Sequence, residues 1–269
     1  MRDGRRGLAP APSTASSARS AGPSSAVDPP GWQIPHTFPF TLWNVLEPDA
    51  TGFTGPGPVP GWSAVGFDLD LTLADTRAGI SAVFAALAAE TGVPIDTDAV
   101  VGRLGPPLET ELAYWFPAAE VPAMADRYRA MYPELAVPVT ALMPGAAAAL
   151  QAVRDRGARV VVVSGKNQAD TERTVRFLGL PVDEVVGGLF GAAKGTALRL
   201  HGVGAYVGDH TGDVDAARAA AATAVGVATG AFDADALTAY GADVVLPDLL
   251  AFPEWLLGAA GADEPAPTG

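Results

Sequence analysis

The sequence contains no cysteine, few basic residues and no long apolar run. Without cysteine the chain can form no disulfide, carry no thiolate nucleophile and bind no metal through sulfur, which leaves oxygen and three histidines as metal ligands. Seventeen basic residues against thirty acidic ones give a net charge of −13, so we expect no binding to nucleic acid. No apolar stretch reaches the roughly 20 residues that a membrane span needs, and we expect no membrane association.

Lysine is especially scarce, because only Lys166 and Lys194 occur beside fifteen arginines. Lysine presents a compact point charge, which arginine does not. We therefore expect these two residues to have specific roles, with ordinary surface positions as the alternative.

The front of the chain differs in composition from the rest. Residues 1–61 are rich in small residues and proline, and are predicted to be a disordered to extended N-terminal extension. Its aromatic residues either pack on the core or bind a partner. The pair Arg5-Arg6 is not followed by the apolar segment of an export signal, so we expect a cytoplasmic protein.

From Ala64 onward, short apolar runs alternate with Ala-rich helical stretches, which is typical of buried parallel strands joined by crossover helices. The predicted strands are Ala64–Leu69, Ala158–Val163, Ala205–Val207, Ala224–Ala228 and Ala242–Leu246. The predicted helices between them include Gly145–Arg156, Gln168–Leu178 and Val214–Ala222. Between Thr76 and Ala141 only helical patterns occur, at Ile80–Thr91, Leu108–Phe116 and Val121–Met131. The sequence thus predicts an α/β fold with a helical insertion after the first strand.

Two carboxylates follow the first predicted strand, in the sequence Asp68-Leu69-Asp70-Leu71-Thr72. Alternate residues of an extended chain point to the same side, so Asp68 and Asp70 are predicted to project together. Ligands of open parallel sheets bind at the carboxyl ends of the strands, where this pair lies. The alternative is that the two acids cap the following turn.

Three further segments carry polar residues at predicted strand ends or between strands. Ser164 and Gly165 offer a hydroxyl and backbone amides to an anionic oxygen, and Lys194 adds a positive charge. Asp209 and Asp213 follow the third strand, and carboxylates from separate strands suit Mg²⁺. Helix capping is the alternative for Ser164 and Asp213.

In this order and at strand ends, these residues resemble the four motifs of the haloacid dehalogenase-like hydrolase superfamily. The segment Arg77–Leu142 resembles the helical cap that many members insert between the first two motifs. Two segments resemble the phosphoglycolate phosphatase-like branch, namely Gly105-Pro106-Pro107-Leu108 and Met143-Pro144-Gly145. Leu71 departs from the pattern, because the family usually has glycine there, and this puts the local turn geometry in doubt.

The resemblance implies a Rossmann-like parallel-sheet core over residues 62–76 and 142–258, with a cap over 77–141 and a flexible tail over 259–269. It implies that Asp68 attacks phosphorus and that Asp70 first protonates the leaving oxygen and then activates water. Mg²⁺ would be held by Asp68, the backbone carbonyl of Asp70, and Asp209. Asp213 would support Lys194 or a metal-bound water. The implied phosphate-binding residues are Thr72, Ser164, Gly165 and Lys194.

The expected function is Mg²⁺-dependent hydrolysis of a small soluble phosphate ester. The alternatives are a phosphomutase or a dehalogenase on the same fold, or a non-catalytic scaffold. Three residues near the motifs have open roles. Lys166 either reaches the phosphate or the substrate, or faces solvent, and Arg103 contacts the leaving group or is an ordinary loop charge. His210 supports the metal ligand or faces solvent, and direct metal ligation is the less favoured alternative. The oligomeric state is not predicted.

Overall fold

The computed structural model describes residues 62–261, and the predicted extension over residues 1–61 lies outside this range. The strands are β1 (Ala64–Phe67), β2 (Ala74–Asp75), β3 (Ala141–Leu142), β4 (Arg159–Val163), β5 (Glu184–Val186), β6 (Val203–Gly208), β7 (Thr223–Val227) and β8 (Val244–Leu246). The helices are α1 (Arg77–Thr91), α2 (Thr97–Val101), α3 (Leu108–Leu112), α4 (Val121–Leu135), α5 (Ala146–Asp155), α6 (Gln168–Phe177), α7 (Lys194–Leu200), α8 (Thr211–Ala220), α9 (Ala234–Tyr240) and α10 (Phe252–Gly261). Short 3-10 turns lie at Val137–Val139 and Gly191–Ala193.

A six-stranded parallel sheet in the order β5-β4-β1-β6-β7-β8 forms the centre of the fold. Both of its faces are buried. In β4, Val160 and Val162 join one hydrophobic cluster, whereas Val161 and Val163 join another. Because successive strand residues point to opposite faces, this division places helices against each face. The predicted Rossmann-like α/β fold is therefore confirmed.

Strand β5 was not predicted from the sequence. Its three residues begin with the exposed Glu184, and Val185 and Val186 are only half-buried at the sheet edge. A strand this short, with one apolar pair, gives no periodic signal. None of the helices in residues 62–261 is long and apolar enough to cross a membrane.

The helices between β2 and β3 have a hydrophobic core of their own, separate from the clusters on the sheet. We call this segment, residues 77–139, the helical region. Its largest buried side chains include Phe84, Leu87 and Tyr132. The chain leaves the sheet through β2 and returns through β3, and these strands pair antiparallel.

Several helix ends differ from the sequence predictions by one to four residues. Helix α3 ends at Leu112 instead of Phe116, and hydrogen-bonded turns continue the chain from there to Phe116, before Pro117. Helix α4 continues past the predicted end at Met131 to Leu135. Helix α10 continues to Gly261, three residues beyond the predicted core, and the rest of the predicted tail lies outside the described range.

The turn after β1 contains Leu71 in place of the expected glycine. Leu71 has a φ of 60°, in the left-handed region that costs a residue with a Cβ roughly 1–2 kcal/mol. Its N–H donates to the Ala74 carbonyl at 2.8 Å, and its carbonyl accepts the Thr229 hydroxyl at 2.7 Å. The turn therefore adopts the backbone conformation that glycine permits, held by hydrogen bonds at both sides of the residue.

We predict that Gly145→Ala destabilises the fold much more than Gly92→Ala. Both glycines have positive φ values, of 83° and 73°, so both substitutions carry a backbone cost of about 1 kcal/mol. A Cβ at Gly145 would also lie 2.3 Å from the backbone nitrogen of Leu250, whereas a Cβ at Gly92 meets nothing within 4 Å. Urea denaturation should show a loss of about 3 kcal/mol for Gly145→Ala and about 1 kcal/mol for Gly92→Ala. Equal losses would contradict the close packing of this turn.

Candidate active site

Three adjacent strands bring the predicted site residues to one edge of the sheet. Strand β1 lies between β4 and β6, and all three run parallel. Asp68 directly follows β1, Ser164 follows β4 and Asp209 follows β6. The shared direction of the strands therefore gathers residues that lie far apart in sequence.

Lys194 is the centre of this cluster. Its Nζ lies 2.9 Å from Asp68 Oδ1, 2.8 Å from Asp213 Oδ1 and 2.9 Å from the Tyr206 hydroxyl, and its side chain is 2% exposed. The Tyr206 hydroxyl in turn donates to the Val163 carbonyl at 2.6 Å. An ammonium group has three N–H donors, and all three are used here. A phosphate oxygen would have to replace one of these partners in order to bind Lys194.

Asp209 and Asp213 follow β6 and are held in different ways. Asp209 Oδ1 accepts a hydrogen bond from the Thr72 hydroxyl at 2.9 Å. The buried Thr72 hydroxyl thus bonds this carboxylate, and its expected contact with phosphate stays a prediction. Asp213 accepts the His210 backbone N–H through Oδ2, so it caps α8 and holds Lys194 at the same time.

Asp70 lies in a separate group of contacts on the side of the helical region. Its Oδ1 accepts a hydrogen bond from the Thr76 hydroxyl at 2.6 Å and lies 3.1 Å from Lys166 Nζ. The Lys166 ammonium also lies 4.5 Å from the centre of the Tyr132 ring on α4, within cation–π range. Lys166 thus connects the second predicted acid to the helical region, which places it in the site and not on the surface.

Asp68, Asp209 and Asp213 could together hold a metal ion. One carboxylate oxygen from each lies within 4.8 Å of the others, and all three residues are buried. Gly230 allows the close approach of the backbone to Asp209, since a Cβ there would lie 1.7 Å from Oδ2. Hard oxygen ligands of this kind suit a divalent cation such as Mg²⁺. The Asp70 side chain is not part of this group, and the expectation that its backbone carbonyl is a ligand stays a prediction.

Burial shifts the pKa values of these groups. Desolvation raises the pKa of Asp68 to about 7, with the positive charge of Lys194 opposing the rise. Desolvation, reinforced by the Asp68 and Asp213 charges, raises the pKa of Asp209 well above its usual value. Burial alone would lower the pKa of Lys194, but the charges of Asp213 and Asp68 outweigh it and raise this pKa. Three carboxylates with one ammonium leave an excess of negative charge that favours a bound cation.

Ser164 and Gly165 follow β4, as predicted. Among the described residues, neither forms a hydrogen bond with the carboxylate cluster of Asp68, Asp209 and Asp213. The Ser164 Oγ accepts the Lys166 backbone N–H at 3.2 Å. The predicted alternative, an N-cap on the following helix, is filled by Asn167 instead, whose side chain accepts the Asp170 N–H. Both predicted phosphate contacts therefore remain predictions.

His210 and Arg103, whose roles were open, have partners in the structure. His210 Nδ1 accepts the Gly212 N–H at 2.9 Å, and its ring packs between Phe190 and Phe232. Its imidazole therefore caps α8, and burial lowers its pKa. Arg103 forms a two-point ion pair with Glu111 in the helical region, at 2.6 and 3.0 Å.

Three residues of the site were not predicted from the sequence, namely Tyr206, Thr76 and Tyr132. Tyr206 stands among small and aliphatic residues in β6, and a buried hydroxyl in such a strand is a signal that it has a partner. Thr76 and Tyr132 gave no comparable signal, because their contacts to Asp70 and Lys166 depend on how the helical region packs.

The chain was compared with known protein families and proteins. A family model for haloacid dehalogenase-like hydrolases matches residues 65–245. No curated protein sequence was found to match the chain.

Several solved structures share the fold. A predicted phosphatase from Clostridium acetobutylicum is 22% identical, with a TM-score of 0.65, and the match covers 73% of this chain and 99% of that one. A predicted phosphoglycolate phosphatase from Haemophilus somnus is 19% identical, with a TM-score of 0.64 and coverage of 73% and 98%. A hydrolase from Deinococcus radiodurans, crystallised with bound phosphate and sodium, is 23% identical, with a TM-score of 0.56 and coverage of 77% and 99%.

We predict that the metal-free protein loses stability as the pH rises from about 4 to about 7. The pKa of Asp68 is raised from 3.8 to about 7 by burial, so in this range the folded chain holds a proton that the unfolded chain has released. The titration of Asp68 should therefore lower the free energy of unfolding by at most about 1.4 kcal/mol per pH unit, and Asp209, whose pKa is also raised, should add to this fall.

This dependence is measured by urea denaturation in EDTA at a series of pH values, with Asp68→Asn as the control. The variant lacks the titrating carboxylate but keeps His210 and the other ionisable groups. The stability difference between the two proteins should change across the range. Parallel curves for both would contradict the raised pKa of Asp68.

Proposed function

This chain belongs to the haloacid dehalogenase-like hydrolase family, and from this premise we propose that it hydrolyses small phosphomonoesters with the help of Mg²⁺. The observation that carries the proposal is the separation of two aspartates of one motif. Asp68 is bonded to Lys194 within the carboxylate cluster, whereas Asp70 is bonded to Thr76 and Lys166. One carboxylate is therefore arranged as a nucleophile beside a cation site, and the other as an acid and base beside the leaving group.

In the first step, an Asp68 carboxylate oxygen attacks phosphorus. A bond forms between this oxygen and phosphorus, the ester P–O bond breaks, and Asp70 gives its proton to the leaving oxygen. Lys194 holds Asp68 Oδ1 at 2.9 Å and so fixes the orientation of the carboxylate. The products of this step are a free alcohol and an aspartyl phosphate.

In the second step, Asp70 takes a proton from a water molecule, which attacks the aspartyl phosphate. Inorganic phosphate leaves and the Asp68 carboxylate is restored. Because Thr76 and Lys166 both bind Oδ1 of Asp70, its Oδ2 is left to exchange the proton. This reuse of Asp70 supports hydrolysis over dehalogenation, since a departing halide needs no protonation.

The carboxylate cluster fits a divalent cation. Asp68 and Asp209 would hold it together with the backbone carbonyl of Asp70, while Asp213 stays with Lys194. When bound, Mg²⁺ offsets the negative charge that the phosphate and the carboxylates bring together. The helical region would act as a cap that shields the Asp70 side of the site from water, because its Tyr132 packs on Lys166.

We predict that EDTA and Asp209→Asn each abolish phosphate release while the fold persists. Loss of the cation leaves the cluster with uncompensated charge, and the variant removes a side-chain ligand. Free phosphate is measured from p-nitrophenyl phosphate with and without Mg²⁺, and circular dichroism reports the fold. Asp235→Asn, at an exposed position on α9, is the matched control and should keep full activity. Full activity in EDTA would contradict the proposed dependence on Mg²⁺.

A second prediction separates the roles of the two aspartates. In Asp70→Asn the nucleophile remains, and an aryl phosphate leaves as a stable phenolate that needs little protonation. The first step should proceed and the second should stall, which gives a burst of up to one equivalent of phenol per enzyme and a hydroxylamine-labile phosphoenzyme. Asp68→Asn should show neither burst nor label. If Asp70→Asn turns over an aryl phosphate at the wild-type steady-state rate, Asp70 is not the general base.

A further inference from the structure

The turn that joins β1 to β2 carries two residues of the candidate active site, Asp70 and Thr72, with Leu71 between them. Part of this turn is closed by its own hydrogen bonds, because the N–H groups of residues 72–74 all donate to the Leu69 carbonyl, at 3.3, 3.0 and 2.9 Å. The Leu71 carbonyl is bonded differently, since its hydrogen bond comes from a distant part of the chain. This carbonyl therefore connects the turn to another element of the fold.

Thr229, in the loop after β7, donates that hydrogen bond. Its hydroxyl lies 2.7 Å from the Leu71 carbonyl oxygen, across 158 positions of sequence. The loop is itself supported at this point, because the Thr229 N–H donates to the Val227 carbonyl at 2.9 Å. Next to it, the Ala228 N–H donates to the Leu246 carbonyl of β8 at 3.0 Å. A hydroxyl held at the end of a paired strand is a fixed donor for the turn.

The same loop also contacts Asp209, a residue of the carboxylate cluster. Gly230 follows Thr229, and a Cβ at this glycine would lie 1.7 Å from Asp209 Oδ2, so the loop backbone lies against this oxygen. The other oxygen, Oδ1, accepts the Thr72 hydroxyl at 2.9 Å. The loop and the turn therefore hold Asp209 from two sides, and the hydrogen bond from Thr229 to Leu71 joins these two supports to each other.

Leu71 makes this turn depend on outside support more than glycine would. Its φ of 60° lies in the left-handed region, which glycine occupies freely and a residue with a Cβ occupies at a cost. This cost is of the same order as the contribution of one neutral hydrogen bond, so a bond to the Leu71 carbonyl offsets much of it. Rotation about the Leu71 N–Cα bond would turn the preceding peptide group, which contains the Asp70 carbonyl.

We propose that Thr229 is a positioning residue of the candidate active site. Its hydroxyl holds Leu71 in the left-handed conformation and so keeps the Asp70 carbonyl in place as a ligand of the cation. The proposal rests on the cation site of the proposed function, in which Asp68, Asp209 and this carbonyl hold Mg²⁺. Thr229 acts through Leu71 and is not itself a ligand.

Two substitutions of Thr229 separate the hydroxyl from the rest of the side chain. Thr229→Val removes the hydroxyl and keeps the branched shape, whereas Thr229→Ser keeps the hydroxyl and removes the methyl group. Mg²⁺ binding is measured without substrate, from the rise in Tm that increasing MgCl₂ produces in each protein. We expect the Mg²⁺ dissociation constant to rise about threefold to tenfold in Thr229→Val and to stay within about twofold of wild type in Thr229→Ser.

Thr238→Val is the matched control. The Thr238 hydroxyl donates to the Ala234 carbonyl at the same distance of 2.7 Å, but on the exposed surface of α9. Its loss should leave the Mg²⁺ dissociation constant unchanged. If Thr229→Val lowers Tm in EDTA but leaves this constant unchanged, Thr229 has only a structural role and the inference is wrong. The inference is also wrong if Thr229→Ser binds Mg²⁺ as weakly as Thr229→Val.

A second background tests the link to Leu71. Glycine takes a φ of 60° without the cost of a Cβ, so the turn in Leu71→Gly depends less on the hydroxyl. In this background Thr229→Val should raise the Mg²⁺ dissociation constant less than about twofold. An equal rise with leucine and with glycine at this position would contradict the action of Thr229 through Leu71.

Phosphate release from phenyl phosphate shows at which level a failure lies. If Thr229→Val weakens Mg²⁺ binding but the wild type hydrolyses no phosphate ester, the proposed hydrolysis fails and the positioning role stands. If the wild type releases phosphate with Mg²⁺ and Thr229→Val binds Mg²⁺ equally well, the positioning role fails and the proposed function stands. If Mg²⁺ does not raise the Tm of the wild type, the cation site and the positioning role both fail.

Discussion

The candidate active site depends on the burial of one ammonium group among three polar partners. Lys194 is almost fully enclosed, and an unpaired amine in such a place would lose its proton. The carboxylates of Asp68 and Asp213 keep Lys194 charged. Its positive charge in turn allows these two carboxylates to lie close together at the sheet edge. Tyr206 completes the set by tying Lys194 to the backbone of β4 through its own hydroxyl. The position of Asp68, the proposed nucleophile, is therefore fixed by contacts that span three strands.

The second lysine organises the other half of the site. Lys166 lies between Asp70 and the Tyr132 ring, so the acid of the first motif and the helical region share one cation. A chain with only two lysines uses both of them within the candidate active site. Arginine could not easily replace either, because a planar guanidinium does not offer three donors from a single atom.

Much of this arrangement could be predicted from the sequence, and the remainder depends on packing. Val160–Val163 form a buried run that predicts a strand, and the direction of parallel strands predicts that Asp68 and Asp209 meet. The hydrogen bond from the Thr72 hydroxyl to Asp209 was not predicted, because a motif gives the position of a side chain but not its rotamer. The contacts of Lys166 depend on how α4 packs against the sheet, which no local pattern encodes.

The two halves of the site differ in their balance of charge. This difference matches the different roles that we propose for Asp68 and Asp70. Around Asp68, three buried carboxylates face one ammonium, so this half is left with negative charge that suits a cation and, through it, a phosphate. Around Asp70, a single carboxylate lies 3.1 Å from the Lys166 ammonium, so the positive and negative charges are equal in number there. The excess of negative charge around Asp68 therefore favours the proposed cation on that side of the site, whereas the Asp70 side suits the proton transfers proposed for this residue.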